Sequence, residues 1–327
     1  MKSPVTRTPM NFRWFLACVV VATFSSFSFT AEPDTSRCSL WVDLCTGEPC
    51  SYKEVLDDLA TADVIYLGER HGILRHHHLQ ARIVQDLTAK KIPLVLGLEM
   101  LEKQYQPILD RYNKGEIDFE QLAKETDWKN HWNNYQDYKE TLEAARKAGA
   151  PILALNARAE TIRNIARKGG LGKIDAESRK ELPAGIQLDD PAYKQMIQPL
   201  IMGHMSANPD FLKPVYEAQI CRDEMMAATL CDFLKTSEGK GRKAVVLCGN
   251  IHAACGLGTP ARVLRRLPAI KDRIVSFSAS GDVKLTPPQI ASRRPVHTTR
   301  EDIRKVNLRI ADYLYVTAPK KETKKSL

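Results

Sequence analysis

The chain has 327 residues, 43% of them hydrophobic and 27% charged, the balance of an ordinary globular protein with room for one large domain or two small ones. Its formal charge of +9 comes from scattered basic residues, in pairs such as Arg265-Arg266 and Arg293-Arg294. A nucleic-acid partner would require basic residues clustered beside aromatics on one element, so that class of partner is excluded.

At the N-terminus, Lys2, Arg7 and Arg13 precede an uncharged, mostly apolar stretch, Trp14–Phe29, followed by Thr30 and Ala31. A basic region, an apolar region and a small-residue cleavage point read as a secretory signal peptide over 1–31 and predict export to the periplasm or cell envelope. The alternative is an uncleaved segment that associates the protein with a membrane. Removal of the signal leaves a formal charge of +6, part of it in the Lys-rich end, so 318–327 is expected to be a basic disordered tail. Of the eight cysteines, Cys18 leaves with the signal, and Cys38, Cys45 and Cys50 crowd the start of the mature chain. Export permits a disulfide within Cys38–Cys50. No close CxxC pairs of a structural zinc site occur, so the cysteines are assigned to structure.

The mature domain, 32–317, alternates short apolar runs with helical patterns. Ser39–Leu44 reads as a strand, Thr46–Cys50 as a turn and Tyr52–Ala60 as a helix. Val64–Leu67 (VIYL) is too short and too β-branched for a helix and reads as a buried strand. Gly68 breaks the run, Glu69-Arg70-His71 follow, and Leu79, Ile83 and Leu87 give the next helix one apolar face. Ile92–Leu98 is a second strand, ending on Glu99-Met100. Residues 102–149 are helical, with Trp128, Trp132, Tyr135 and Tyr138 expected on one helical face. Pro151–Leu155 is a third strand, ending on Asn156 with Arg158 beyond. A long helical insertion spans about 160–239, and Lys243–Leu247 is a fourth strand, ending Cys248-Gly249-Asn250-Ile251-His252. Pro260 marks the first turn of a helix over Thr259–Leu267, and Ile274–Ala279 and Ala311–Thr317 read as the last strands. The pattern predicts an α/β fold: a mostly parallel central sheet flanked by helices, with an inserted helical subdomain.

Parallel strands put all their carboxyl ends on one rim, where ligands bind in open α/β sheets. That gathers Glu69, His71, Glu99, Asn156, Arg158 and His252. Two histidines and two carboxylates suit a divalent ion such as zinc, manganese or iron, with Glu69, His71 and His252 as its ligands. The same set can work without metal, one histidine acting as general base and the carboxylates orienting it. A third reading makes Glu69 a structural ion pair with Arg70 or Arg158. Four of the eight histidines fall within 71–78, and at most one or two of His76, His77 and His78 can face the cleft. His204 lies in a Met-rich apolar patch, Met196 to Met205, and reads either as an axial ligand to an iron porphyrin or as a core histidine. Gln219, Arg222 and Asp223 share a helix and either close the cleft or dock that helix. Nucleophile elbow, phosphate loop and dinucleotide fingerprint are all lacking.

These residues together resemble the ChaN-like family of exported haem-binding proteins, within the wider Tiki/TraB/erythromycin-esterase superfamily. The resemblance is carried by Thr46-Gly47-Glu48, Leu67-Gly68-Glu69-Arg70-His71 with His77 six residues on, and Gly97-Leu98-Glu99-Met100. It continues through Trp128, Trp132 and Tyr135, Asn156-Ala157-Arg158 and the run Gln219 to Ala227, then Gly249-Asn250-Ile251-His252, Gly258-Thr259-Pro260 and Ala311-Asp312-Tyr313-Leu314. The second GxxH motif holds Ile251 where relatives carry glycine. The resemblance implies an α/β/α core with a helical subdomain, haem as cofactor, and a role in iron uptake or haem handling at the envelope. Candidates for holding the haem are His204, His77, Tyr135, Arg158 and Arg222. The alternative it implies is a metal-dependent hydrolase acting on a peptide or ester through Glu69, His71, Glu99 and His252.

Overall fold

Apolar side chains fill both faces of the central strands, so the sheet is buried on both sides by helices. The computed structural model describes residues 39–204, 209–279 and 310–317, and for 200–204, 209–210 and 279 the backbone alone. The expected signal peptide, Cys38, Met205 and the basic tail therefore lie outside the described residues, as does the side chain of His204. Among the described residues one eight-stranded sheet is formed by β1 (Ser39–Asp43), β2 (Glu48–Cys50), β3 (Val64–Glu69), β4 (Leu94–Glu102), β5 (Ile152–Asn156), β6 (Lys243–Gly249), β7 (Asp272–Ala279) and β8 (Tyr313–Thr317). Their order is β2-β1-β8-β7-β3-β6-β4-β5. Neighbours from β8 to β5 run parallel, while β1 is antiparallel to both β8 and β2.

The helices, in chain order, are α1 (Tyr52–Leu59), α2 (Leu74–Ala89), α3 (Gln106–Asn113), α4 (Phe119–Glu125), α5 (Trp128–His131), α6 (Lys139–Lys147), α7 (Ala159–Lys168), α8 (Ala176–Lys180), α9 (Pro191–His204), α10 (Pro209–Lys235), α11 (Asn250–Ala253) and α12 (Thr259–Arg266). The local signals explain several starts. Ser51 and Glu54 form a reciprocal capping box on α1, satisfying backbone donors that the first turn leaves open. Pro260 sits in the first turn of α12, as expected.

Alternation along β3 sends Ile65 and Leu67 to one face, where they pack with Val55, Leu59, Ile83 and Leu87 of α1 and α2. Val64 and Tyr66 go to the other, against Met226, Leu230 and Val263 of α10 and α12. Because α10 is itself a layer over the sheet, the helices of 160–239 do not stand apart from the core along their whole length. Smaller clusters, such as Ile162, Ile165, Cys221 and Met225, bind α7 to the far face of α10.

Four expectations need correcting, the last of them in part. Glu48–Cys50 pairs with β1 as a short edge strand where a turn was expected. β4 runs four residues past Leu98, so Glu99 lies inside a strand rather than beyond one, where the pairing with β5 shifts register between Leu98 and Glu102. Trp128, Trp132, Tyr135 and Tyr138 share no single helix: they span α5, an extended residue and a 3₁₀ turn. Cys50 carries a free thiol, so no bridge joins it to Cys45.

The close approach of α11 to β3 depends on Gly68, where a Cβ would meet Asn250 Oδ1 at 2.6 Å and Asn250 Cα at 3.3 Å. Gly68→Ala should therefore cost about 1–3 kcal/mol through overpacking. Gly72→Ala, a site with open space around it, should stay within about 0.5 kcal/mol of wild type. Equilibrium urea unfolding of both variants measures the difference, and equal midpoints would overturn the packing argument.

Candidate functional site

The carboxyl ends of β3, β4, β5 and β6 bring two linked groups of side chains to one rim. The first centres on Glu69, the last residue of β3 and almost fully buried. Its Oε1 lies 2.8 Å from His71 Nδ1 and accepts a short hydrogen bond from the Tyr138 hydroxyl. Its Oε2 accepts from Gln80 Nε2 at 2.5 Å and lies 3.3 Å from His77 Nδ1. His77 turns its other nitrogen to the His71 carbonyl, 3.0 Å away, which also accepts a short bond from Asn134 Nδ2. Four side chains thus converge on one carboxylate, and the product of that convergence is a fixed His71.

His71 itself is the open member. Its side chain is 38% exposed, its ring meets Trp132 edge-on at 4.7 Å, and its Nε2 lies over the Gly249 backbone. Burial alone would lower the His71 pKa, but the bond to Glu69 and the charges of Glu99 and Glu69 outweigh it and raise the value above 6.5.

The second group is closed. His252, in α11, is 4% exposed and stands between two buried carboxylates, with Nδ1 2.8 Å from Asp223 Oδ1 of α10 and Nε2 3.1 Å from Glu99 Oε1 of β4. Burial disfavours the charged ring, yet the charges of Glu99 and Asp223 and their hydrogen bonds raise its pKa to about 10. Burial likewise works against ionised Glu99, and His252, His71 and the Gly249 N–H together hold it down at about 2. Glu99 Oε2 accepts that N–H at 2.6 Å. Asp223 is itself held by Thr259 Oγ1 at 2.8 Å and by a short bond from the Tyr193 hydroxyl, and the Gln219 amide lies 3.1 Å from His252 Nδ1. The two groups meet at Gly249, where a Cβ would stand 2.7 Å from His71 Nε2 and 3.7 Å from Glu99 Oε2. Only glycine admits both.

Of the expected rim residues, Glu69, His71, Glu99 and His252 come together. Asn156 joins them by donating from Nδ2 to the Glu99 carbonyl at 2.9 Å. Arg158 turns away to Glu160 at 2.8 Å and Glu181 at 3.0 Å, both exposed. It pairs with neither Glu69 nor the rim. His77 is enclosed at 1% exposure and supports His71 from behind. His76 is also buried, packed 5.4 Å from Phe277, and burial, its leading cause, pushes its pKa down to about 4. His78 faces outward to Glu140. Tyr135 stacks on Phe119 at 6.2 Å in an aromatic cluster with Trp128. His204 ends α9. Arg222 lines a cavity of about 250 Å³ with Glu99, Tyr105, Trp128, Trp132 and Arg163. A wider crevice of about 690 Å³ lies between α9 and α10, lined by Ile197, Leu212 and Tyr216 with Lys194 and Lys213. Tyr138, Gln80 and Asn134 are the supporting residues that the motifs do not mark, since their roles arise from contacts across 57 or more residues for Tyr138 and Asn134 and from one helix turn's aim for Gln80.

Both nitrogens of His252 face buried carboxylates, Nδ1 towards Asp223 and Nε2 towards Glu99. Among the described residues no three His, Cys, Asp or Glu side chains gather as a ligand set for a metal ion. His71 differs: with Nδ1–H held by Glu69, its Nε2 is the nitrogen able to bind an electrophile. A carboxylate behind an imidazole fixes the ring's orientation and strengthens it as a ligand, which is the donor chemistry an iron porphyrin takes.

Residues 55–263 match the model of a family described as haem-binding uptake proteins, Tiki superfamily, ChaN. Among solved structures, ChaN of Campylobacter jejuni, described with cofacially bound haem, is 20% identical, covers 85% of this chain and 96% of its own, and has a TM-score of 0.61. An erythromycin esterase variant in its open conformation is 12% identical, covers 88% of this chain and 100% of its own, and has a TM-score of 0.47. No curated protein matches the sequence.

The closed group makes stability depend on pH. His252, raised from 6.5 to about 10, contributes stability that is complete below 6.5 and is lost as pH rises towards 10. Glu99, lowered from 4.5 to about 2, contributes stability that is complete above 4.5 and is lost as pH falls towards 2. Thermal unfolding from pH 3 to 10 should therefore peak between those limits. His252→Gln should lose about 3–5 kcal/mol by leaving two buried carboxylates without their cation, and its alkaline limb should flatten. An unchanged alkaline limb in this variant would sink the assignment.

Proposed function

Because the chain belongs to the ChaN-type haem-binding uptake family of the Tiki superfamily, we propose that it binds haem at the rim of its sheet, with the His71 imidazole facing the iron. The observation that carries this reading is the state of His71: exposed on one side, clamped on the other by Glu69, and oriented by Trp132. Haem, when bound, supplies an iron that accepts a nitrogen ligand. The chain's own residues do the rest. Tyr138, Gln80 and His77 keep the Glu69 carboxylate in place, Glu69 holds the proton on Nδ1, and Trp132 limits rotation of the ring. Trp132 and Arg222, beside the small cavity, offer an aromatic surface and a cation to the edge of a flat anionic ligand. The cavity is too small to enclose a porphyrin, so the ring would lie over it rather than inside it.

The cofacial haem binding described for the Campylobacter jejuni protein supports the same ligand class here. The basic and apolar N-terminal segment supports export, which would place haem binding in iron uptake or haem handling at the cell envelope. Among the described residues no helix is long and apolar enough to cross a membrane.

Titrating the mature protein with hemin should give a saturable shift of the Soret band at a fixed ratio. His71→Ala should weaken binding about tenfold or more, about 1.4 kcal/mol, whereas His78→Ala should match wild type. Ligation needs an unprotonated Nε2, so affinity should climb as pH rises through the raised His71 pKa, above 6.5. A spectrum that hemin leaves no different from that of a non-binding control protein would refute the proposal.

A further inference from the structure

Two arginines beside the rim make no ion pair, although Glu99 and Glu102 line the same cavity. Arg222, half-buried on α10, and Arg163, exposed on α7, line the same cavity of about 250 Å³. Neither makes a hydrogen bond or ion pair within the described residues. The carboxylates of the lining are committed elsewhere. Glu99 is held by His252 and the Gly249 N–H. Glu102 accepts from the Ala159 N–H at 3.1 Å and from Gln104 at 2.5 Å. Asp223, next to Arg222 in sequence, faces the other way, to His252, Thr259 and Tyr193. Arg158, by contrast, finds Glu160 and Glu181.

Arg222, half-buried, gives up part of its hydration without a bonded anion in return, while Arg163 stands exposed at the mouth of the same cavity. The planar fork of donors of a guanidinium matches a carboxylate, which it can bind through two parallel hydrogen bonds. The remaining walls, Trp128, Trp132, Tyr105 and Met100, suit the apolar carbon behind such a group. The volume falls below the roughly 300 Å³ at which pockets begin to hold drug-sized ligands, so the site selects a small head group. We infer that Arg163 and Arg222 form a carboxylate-binding site that takes the acid group of a small aliphatic carboxylate or of a side arm of a tetrapyrrole lying over the rim. The site stands on the two arginines and the cavity, independently of whether iron meets His71.

Trp128 and Trp132 line the cavity and report on it directly. Titration with succinate, followed by tryptophan fluorescence at constant ionic strength, should saturate. Arg163→Gln and Arg222→Gln should each weaken it about tenfold or more, while Arg167→Gln, on the same helix but away from the cavity, should match wild type. Arg163 is exposed, so its variant decides the matter even if Arg222→Gln folds poorly by circular dichroism. A response no larger than that to sodium chloride, or one that survives Arg163→Gln unchanged, would overturn the inference. Repeating the titration with hemin present separates the two sources. Competition identifies the tetrapyrrole's acid arm as the occupant, whereas an unchanged succinate affinity identifies a free carboxylate. A protein that binds succinate but shows no Soret shift would retain this site and lose the haem reading.

Discussion

The buried cation of His252 between Glu99 and Asp223 is the interaction on which the rim depends. It joins three elements that are far apart in sequence: the carboxyl half of β4, the middle of α10 and the short α11 that follows β6. Each ion alone would be expensive to bury, and the arrangement holds because every charged atom has a partner: Asp223 also receives Thr259 and Tyr193, and Glu99 also receives the Gly249 N–H. Satisfied networks of this kind specify a unique geometry, because any slippage strands a charge. The clamp fixes α10 over the sheet and thereby fixes where Arg222 stands.

The Glu69 group uses similar chemistry to a different end. There the carboxylate is the fixed centre, held by Tyr138 and Gln80 with His77 beside it, and the imidazole it orients is left half open. One GxxH histidine is therefore locked inside the fold and the other presented at its surface. Gly249 lets the two approach, since any side chain there would collide with His71. A rim with one sealed and one open histidine suits a protein that holds a ligand more than one that must cycle protons at both positions.

Much of this was legible in the chain. The apolar runs VIYL, LVLGL, ILAL and AVVL are buried on both faces, as strands of a helix-covered parallel sheet are, even though ILAL forms β5 at the edge of that sheet. The parallel arrangement then collects whatever residues follow those runs, which is why Glu69, His71, Glu99 and His252 could be grouped before any contact was known. Boundaries were less legible. β4 continues through Glu99 because Met100 and Leu101 are buried too, and a polar residue inside a strand looks the same in sequence as one at its end.

The sequence by itself determined the parallel strands, their common rim and six residues expected on it, of which Arg158 turns away, because hydrophobic period and parallel topology act through local pattern and chain connectivity. Only the tertiary structure decided what each residue does. Arg158 and Arg222 were equivalent candidates in sequence, yet one finds exposed glutamates outside the rim and the other is left unpaired over a cavity. His71 and His252 occupy the same motif, yet one faces solvent and the other is enclosed by Asp223 and Glu99. Those differences arise from contacts between elements 29 to 153 residues apart, such as Asp223 with His252 and Glu99 with His252, and the burial that sets each charge exists only once those elements have packed.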